Sequence, residues 1–104
     1  MKKYKIKDSI LYASQYKPDL GIEDGILPIK FISDNEIYYN IVEKWTSYIV
    51  KLGGKLTDLK GIPYIYNLKG NMVFIEPTNF VVNSNNIKYL VPEHEFKKTY
   101  EEVK

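Results

Sequence analysis

The chain has 104 residues, enough for one domain and too few for two. It is 44% hydrophobic and 27% charged, the composition of a globular chain rather than a disordered one, and its net charge is only +2. It contains no cysteine and a single histidine, which excludes disulfides, thiolate metal sites, a cysteine nucleophile and a multi-histidine zinc site within one chain.

All 15 basic residues are lysine. Without arginine, bidentate recognition of phosphate or guanine is unavailable, so anion contacts fall to lysine as a point charge or to backbone N–H groups. Sequence-specific DNA binding is therefore not expected. No apolar run approaches the roughly 20 residues that span a membrane. The opening MKKYKIKDSI has the charges of a signal peptide without its apolar stretch, so a cytoplasmic location and no membrane partner are expected. The Lys-, Ile-, Asn- and Tyr-rich composition suggests an AT-rich genome.

In chain order, residues 4–16 read as one N-terminal strand, kinked near Asp8-Ser9. Alternation puts Ile10, Tyr12, Ser14 and Tyr16 on one face, and Leu11, Ala13 and Gln15 on the other. Pro18, Gly21 and Gly25 punctuate a turn-rich stretch. Residues 26–32 form an edge strand at best, because Pro28 cannot donate to a ladder. Ser33 to Glu36 matches a capping box, with Ile32 and Ile37 placed as a hydrophobic staple. Ile37, Ile41, Trp45, Tyr48, Ile49 and Leu52 follow at helical spacing, and Gly53-Gly54 supplies a left-handed stop. The expected helix covers 34–52.

The pattern then changes to strands. Residues 55–62 are too short and mixed to assign. Residues 63–68 and 71–77 alternate around Lys69-Gly70 as a hairpin, 79–84 and 87–91 form two more strands, and Asn83 to Asn86 make a polar turn. Pro92 opens a short helix with Glu93 and Glu95 at its positive end, and Phe96, Tyr100 and Val103 fall on the face that docks on the sheet. The fold class is α+β: a mainly antiparallel sheet, one long central helix and a short C-terminal helix in a single compact domain over 1–104.

Candidate chemistry is sparse. His94, beside a helix start, has no serine or aspartate at triad spacing and reads as a solvated or capping residue. Asp19, Glu23 and Asp24 share a loop but match no EF-hand, and read as a solvated acidic loop. The glycines form neither a Walker loop nor a dinucleotide fingerprint. No catalytic residue, metal or cofactor is expected. Ten tyrosines are the notable excess. Most, Tyr12, Tyr48 and Tyr100 among them, are expected to pack with the ring buried and the hydroxyl at the edge, whereas adjacent Tyr38 and Tyr39 cannot share one narrow helix face.

Two stretches carry a family resemblance. Tyr4-Lys5-Ile6-Lys7 leads to Tyr12-Ala13-Ser14-Gln15-Tyr16. Later, Leu68-Lys69-Gly70 precedes Pro77-Thr78-Asn79-Phe80-Val81, then Tyr89 and the tail Phe96-Lys97-Lys98-Thr99-Tyr100-Glu101. These resemble the small phage-associated family named for its PGDYG motif, over about half of the chain. At the signature Pro77 is identical, while Thr78 and Val81 replace the two glycines, Asn79 the aspartate and Phe80 the tyrosine. With its glycines replaced, the turn is not bound to the family's backbone geometry.

The resemblance implies a phage or prophage origin and a compact sheet-plus-helix fold, with no catalytic residues to carry over. Together with the missing catalytic groups, it points to a non-enzymatic binding protein, a counter-defence protein that sequesters a small nucleotide signal or inhibits a host protein. Gln15, Tyr16, Asn79, Phe80, Lys98 and Tyr100 are the ligand-binding candidates because they lie in the matching segments. A pocket for a nucleotide is expected between protomers of a homo-oligomer, since one small domain offers limited concavity. The alternatives are a structural or regulatory protein-interaction module, or a weak single-stranded nucleic-acid binder that stacks bases on tyrosine.

Overall fold

The computed structural model describes residues 1–17, 20–28, 36–54 and 61–103, with residues 36–38 described by their backbone alone. What reads as one N-terminal strand is a hairpin. Strand β1 (Lys2–Ile6) turns at Lys7-Asp8 into β2 (Ser9–Gln15), with Tyr4 opposite Leu11 and Lys2 opposite Ala13. Lys7 takes the left-handed conformation (φ 54°) that a tight hairpin loop demands, so the suspected kink is a full reversal.

The edge strand β3 (Gly25–Pro28) pairs with β4 (Gly61–Tyr66), with Pro28 opposite Gly61. Helix α1 (Glu36–Lys51) lies between them in sequence. The proposed Ser33 cap and the Ile32 end of the staple lie outside the described residues. The helix stop is as expected: Gly53 (φ 85°) donates to Val50 O and Gly54 to Ile49 O, both at 2.9 Å, the paired bonds of a Schellman motif. Leu52 falls in this turn and is exposed, so it does not belong to the apolar stripe.

Strand β4 continues through a loop into β5 (Met72–Phe74), in which Asn67 Oδ1 accepts from the N–H groups of Lys69 and Asn71. Strands β6 (Phe80–Ser84) and β7 (Ile87–Val91) form the last hairpin, turned by Asn85 (φ 53°) and Asn86 (φ 65°). Two successive left-handed residues define a type I′ turn, and asparagine tolerates that conformation well.

Pro92 precedes α2 (Glu93–Thr99), and Tyr100 ends it in an extended conformation. The chain then adds β8 (Glu101–Glu102) to the edge of β1, a strand the sequence pattern does not announce. Val103 is accordingly outside the helix and exposed, not on its docking face.

Among the described residues the strands form two antiparallel sheets, a five-stranded one in the order β7-β6-β2-β1-β8 and a three-stranded one in the order β3-β4-β5. With two helices this is the expected α+β fold. Alternation along β6 explains how one strand serves two cores. Val82 joins Leu11, Ala13, Phe80, Val91 and Phe96 beneath α2, while Val81 joins Tyr16, Ile41, Trp45, Ile62, Ile65 and Ile75 beneath α1 and the smaller sheet.

Each core has an aromatic centre. Trp45 receives the ring edges of Tyr16 and Tyr48 at 5.8 and 5.7 Å, and its indole N–H donates to Ile75 O at 2.8 Å. Phe96 is stacked between Phe80 and Tyr100 with centroids 3.9 and 4.4 Å away, and Tyr4 meets it edge-on. No helix among the described residues is long and apolar enough to cross a membrane.

Candidate functional site

Two concavities flank Gln15, at the end of β2 (Ser9–Gln15). The first is a cleft of about 700 Å³ between α1 (Glu36–Lys51), the 76–79 turn and the start of α2 (Glu93–Thr99). Asn40, Glu43, Lys44 and Ser47 recur at helical spacing, so α1 turns a polar edge to it. Glu76, Pro77, Thr78, Asn79 and Glu93 form the other wall. Lys44 is ion-paired to Glu76. Glu93 is in turn paired with the exposed Lys97 at 3.7 Å, so Glu43, Glu76 and Glu93 stand against two lysines and the cleft is weakly electronegative.

The 76–79 turn is built from its own residues. Asn79 N–H donates to Glu76 O at 3.2 Å, and the Asn79 side-chain oxygen accepts the Glu76 N–H at 2.9 Å. Pro77 holds the second position and Thr78 the third, with φ 69° at Thr78. A turn with proline second and a left-handed third residue is of the type II kind and favours glycine there. A β-branched residue in that conformation is a genuine outlier.

The second concavity is a hollow of about 550 Å³ beside the N-terminal end of β1 (Lys2–Ile6), lined by Lys2, Tyr4, Ser14, Gln15, Lys17 and Phe80 together with Met1, Ala13 and Leu20. It exists because β1 pairs with β2 only as far as Lys2–Ala13, leaving the last residues of β2 beyond its partner's end. Among the described residues no carboxylate lines it. Lys2 has Glu102 at 3.9 Å, but that pair is largely exposed and screened by solvent.

Gln15 connects the two. Its side-chain amide donates to Thr78 O at 3.1 Å and to the Glu93 carboxylate, tying the strained turn and the first residue of α2 to the sheet. Both amide hydrogens are then committed, which leaves Gln15 a carbonyl oxygen to offer a ligand.

The structure sorts the sequence candidates. Gln15, Tyr16, Asn79 and Phe80 do converge, through the Gln15–Phe80 pairing and the Tyr16 N–H to Asn79 O bond at 2.8 Å. Tyr16, Asn79 and Phe80 are, however, buried. Tyr16 serves the Trp45 core, Asn79 the turn and Phe80 the Phe96 stack, although Asn79 reaches the cleft and Phe80 the hollow. Tyr100 is separated from them by Phe96 and turns its hydroxyl to Tyr89 at 3.1 Å. Burial and that hydrogen bond push its ionisation well above the ordinary tyrosine value. Lys98 is exposed on α2 and lines neither concavity.

Tyr12 is not a core residue: it is 49% exposed. His94 is exposed in the first turn of α2. Asp19 lies outside the described residues. Asp24 is less solvated than a free acidic loop residue, because it pairs with Lys88 at 2.8 Å and accepts the Tyr66 N–H at 2.7 Å. Burial raises its pKa, but Lys88 and the backbone bond outweigh that and hold the carboxyl below its ordinary value. Among the described residues no group of three His, Cys, Asp or Glu is placed to hold a metal ion.

No family model matches this chain, and neither a curated protein nor a solved structure matches it.

Proposed function

We propose that this is a non-enzymatic binding protein of phage or prophage origin that captures a small nucleotide-type anion in the hollow beside β2. The observation that carries the reading is the lining: Lys2 and Lys17, Tyr4 and Phe80 as aromatic wall, Ser14 and Gln15 as polar groups, and no carboxylate among the described residues. Lysine supplies the point charges for phosphate that the absence of arginine leaves as the side-chain option. An apolar wall with a few polar groups is the usual make-up of a small-molecule site, and the volume lies in the usual range. The larger cleft is the wrong charge for phosphate, so electrostatics and not size selects between the two.

The residues named all come from one chain, and whether a second protomer adds to the site is read from the oligomeric state in solution. The phage origin rests on the sequence resemblance in the β2 and Pro77–Val81 segments. Counter-defence by sequestering a host nucleotide signal is the role that joins the origin to the site.

Thermal-shift screening against cyclic and linear nucleotides tests this. A ligand at 100 times its Kd adds about 2.7 kcal/mol of stability. The shift should disappear in the Lys2→Gln, Lys17→Gln double variant. A panel without any shift, or a shift that the double variant retains, contradicts the reading.

The electronegative cleft favours a second reading, inhibition of a host protein that presents a basic segment. Pull-down of one stoichiometric host protein, released by Glu43→Gln with Glu93→Gln, is its expected result.

A further inference from the structure

The outer face of the β1–β2–β8 end of the large sheet is distinct from both concavities. Alternation places Lys3 and Lys5 of β1 on the side opposite Lys2 and Tyr4. Their cross-strand partners are Tyr12 and Ile10, so the four side chains form one patch. Ile10 is 62% and Tyr12 49% exposed, and the Lys5 side chain is about half exposed. Elsewhere the same face is covered: Val81, opposite Ser14, belongs to the core under α1 and the smaller sheet. The fold therefore leaves a tyrosine uncovered on a flat sheet, flanked by two lysines.

We infer that this face binds single-stranded nucleic acid without sequence specificity, with Tyr12 as the stacking platform and Lys3 and Lys5 on the backbone. Every base has a face that stacks on a tyrosine, and lysine neutralises phosphate without requiring the planar geometry of arginine. Alternate residues of a strand lie about 7 Å apart, which lets Lys3 and Lys5 follow successive phosphates of an extended strand. Two ion pairs border the patch: Glu101 lies 3.8 Å from Lys5 in an exposed pair, which a polyanion displaces at little cost, and beyond Asn83, the β6 partner of Tyr12, Lys88 is paired with Asp24 at 2.8 Å.

A second copy of the chain is the competing occupant, and charge decides against it. A two-fold interface would gather Lys3 and Lys5 of both copies into one contact with only Glu101 of each to offset them.

The test is fluorescence anisotropy of a labelled dodecathymidylate titrated with the full chain across a salt series, beside sedimentation velocity of the protein alone. Binding is expected to weaken with salt, with a slope of log K against log salt of about −0.7 per lysine engaged, hence about −1.4 for two. Tyr12→Ala should lower affinity by about 5- to 150-fold, the range for one stacked base. Lys3→Gln should remove about one lysine's share of the slope. Circular dichroism and unchanged melting would show that these surface variants remain folded. Tyr12→Ala, which lies outside the hollow's lining, should keep the wild-type thermal shift with nucleotide, which separates this face from the hollow. No binding at low salt, affinity indifferent to Tyr12→Ala, or self-association that Tyr12→Ala abolishes would each overturn the inference.

Discussion

Replacing Thr78 by glycine should stabilise the protein. Thr78 holds φ 69° at the third position of the Glu76–Asn79 turn, where its Cβ crowds the backbone. The left-handed conformation costs an L-residue about 1–2 kcal/mol. Glycine removes that cost, but it gains about 0.4–1 kcal/mol of freedom in the unfolded chain, which opposes the gain. The hydrogen bonds that hold the turn use Thr78 O and the groups of Glu76 and Asn79, so all survive the change. The net expectation is about 0.5–1 kcal/mol of added stability, or roughly 2–8 °C in Tm for a domain of this size. Urea denaturation followed by Trp45 fluorescence measures it, with an unchanged m-value showing that the unfolded state is comparable. Thr78→Asn should fall between wild type and glycine, because asparagine tolerates this backbone. A glycine variant less stable than wild type would refute the reasoning, since the threonine side chain would then contribute more than its backbone costs.

Trp45→Phe should cost about 2–3 kcal/mol in chemical denaturation, because it leaves the buried Ile75 carbonyl without its donor as well as reducing volume. Phe96→Ala removes the ring between Phe80 and Tyr100 and should cost about 3–5 kcal/mol, enough to leave much of the chain unfolded on thermal melting. The Asp24 carboxyl lies below its ordinary 3.8, so its contribution is complete above that pH and drains away as pH falls through the folded-state value. Asp24→Asn should be less stable at neutral pH, and its difference from wild type should narrow in acid; a difference constant with pH would contradict the Lys88 pairing.

The helix and the last two strands are legible in the sequence because their signals are local. Gly53-Gly54 can satisfy the final carbonyls of α1 only by turning left-handed, and Asn85-Asn86 tolerate the two left-handed positions of a tight hairpin. The first hairpin is obscured because Lys7-Asp8 is a weak turn signal set in an alternating run that continues on both sides. Strand β8 is hidden for a different reason: Glu101-Glu102 pairs through its backbone, opposite Tyr4 and Lys5, and its charged side chains carry no apolar pattern.

The candidate site was partly legible. Gln15, Asn79 and Phe80 come together as the matching segments suggest. Lys2, Tyr4 and Lys17 were missed, because only the reversal at Lys7 brings the start of β1 beside the end of β2. Tyr12 was misplaced on similar grounds. Alternation fixes which residues share its face, but not whether another layer covers that face.

Native mass spectrometry of the protein purified from its host is the most direct test of the claim that the hollow captures a nucleotide. The account predicts a retained small ligand of nucleotide mass on the wild-type chain, absent from the Lys2→Gln, Lys17→Gln variant. A ligand-free wild-type chain accompanied by a stoichiometric host protein would contradict it.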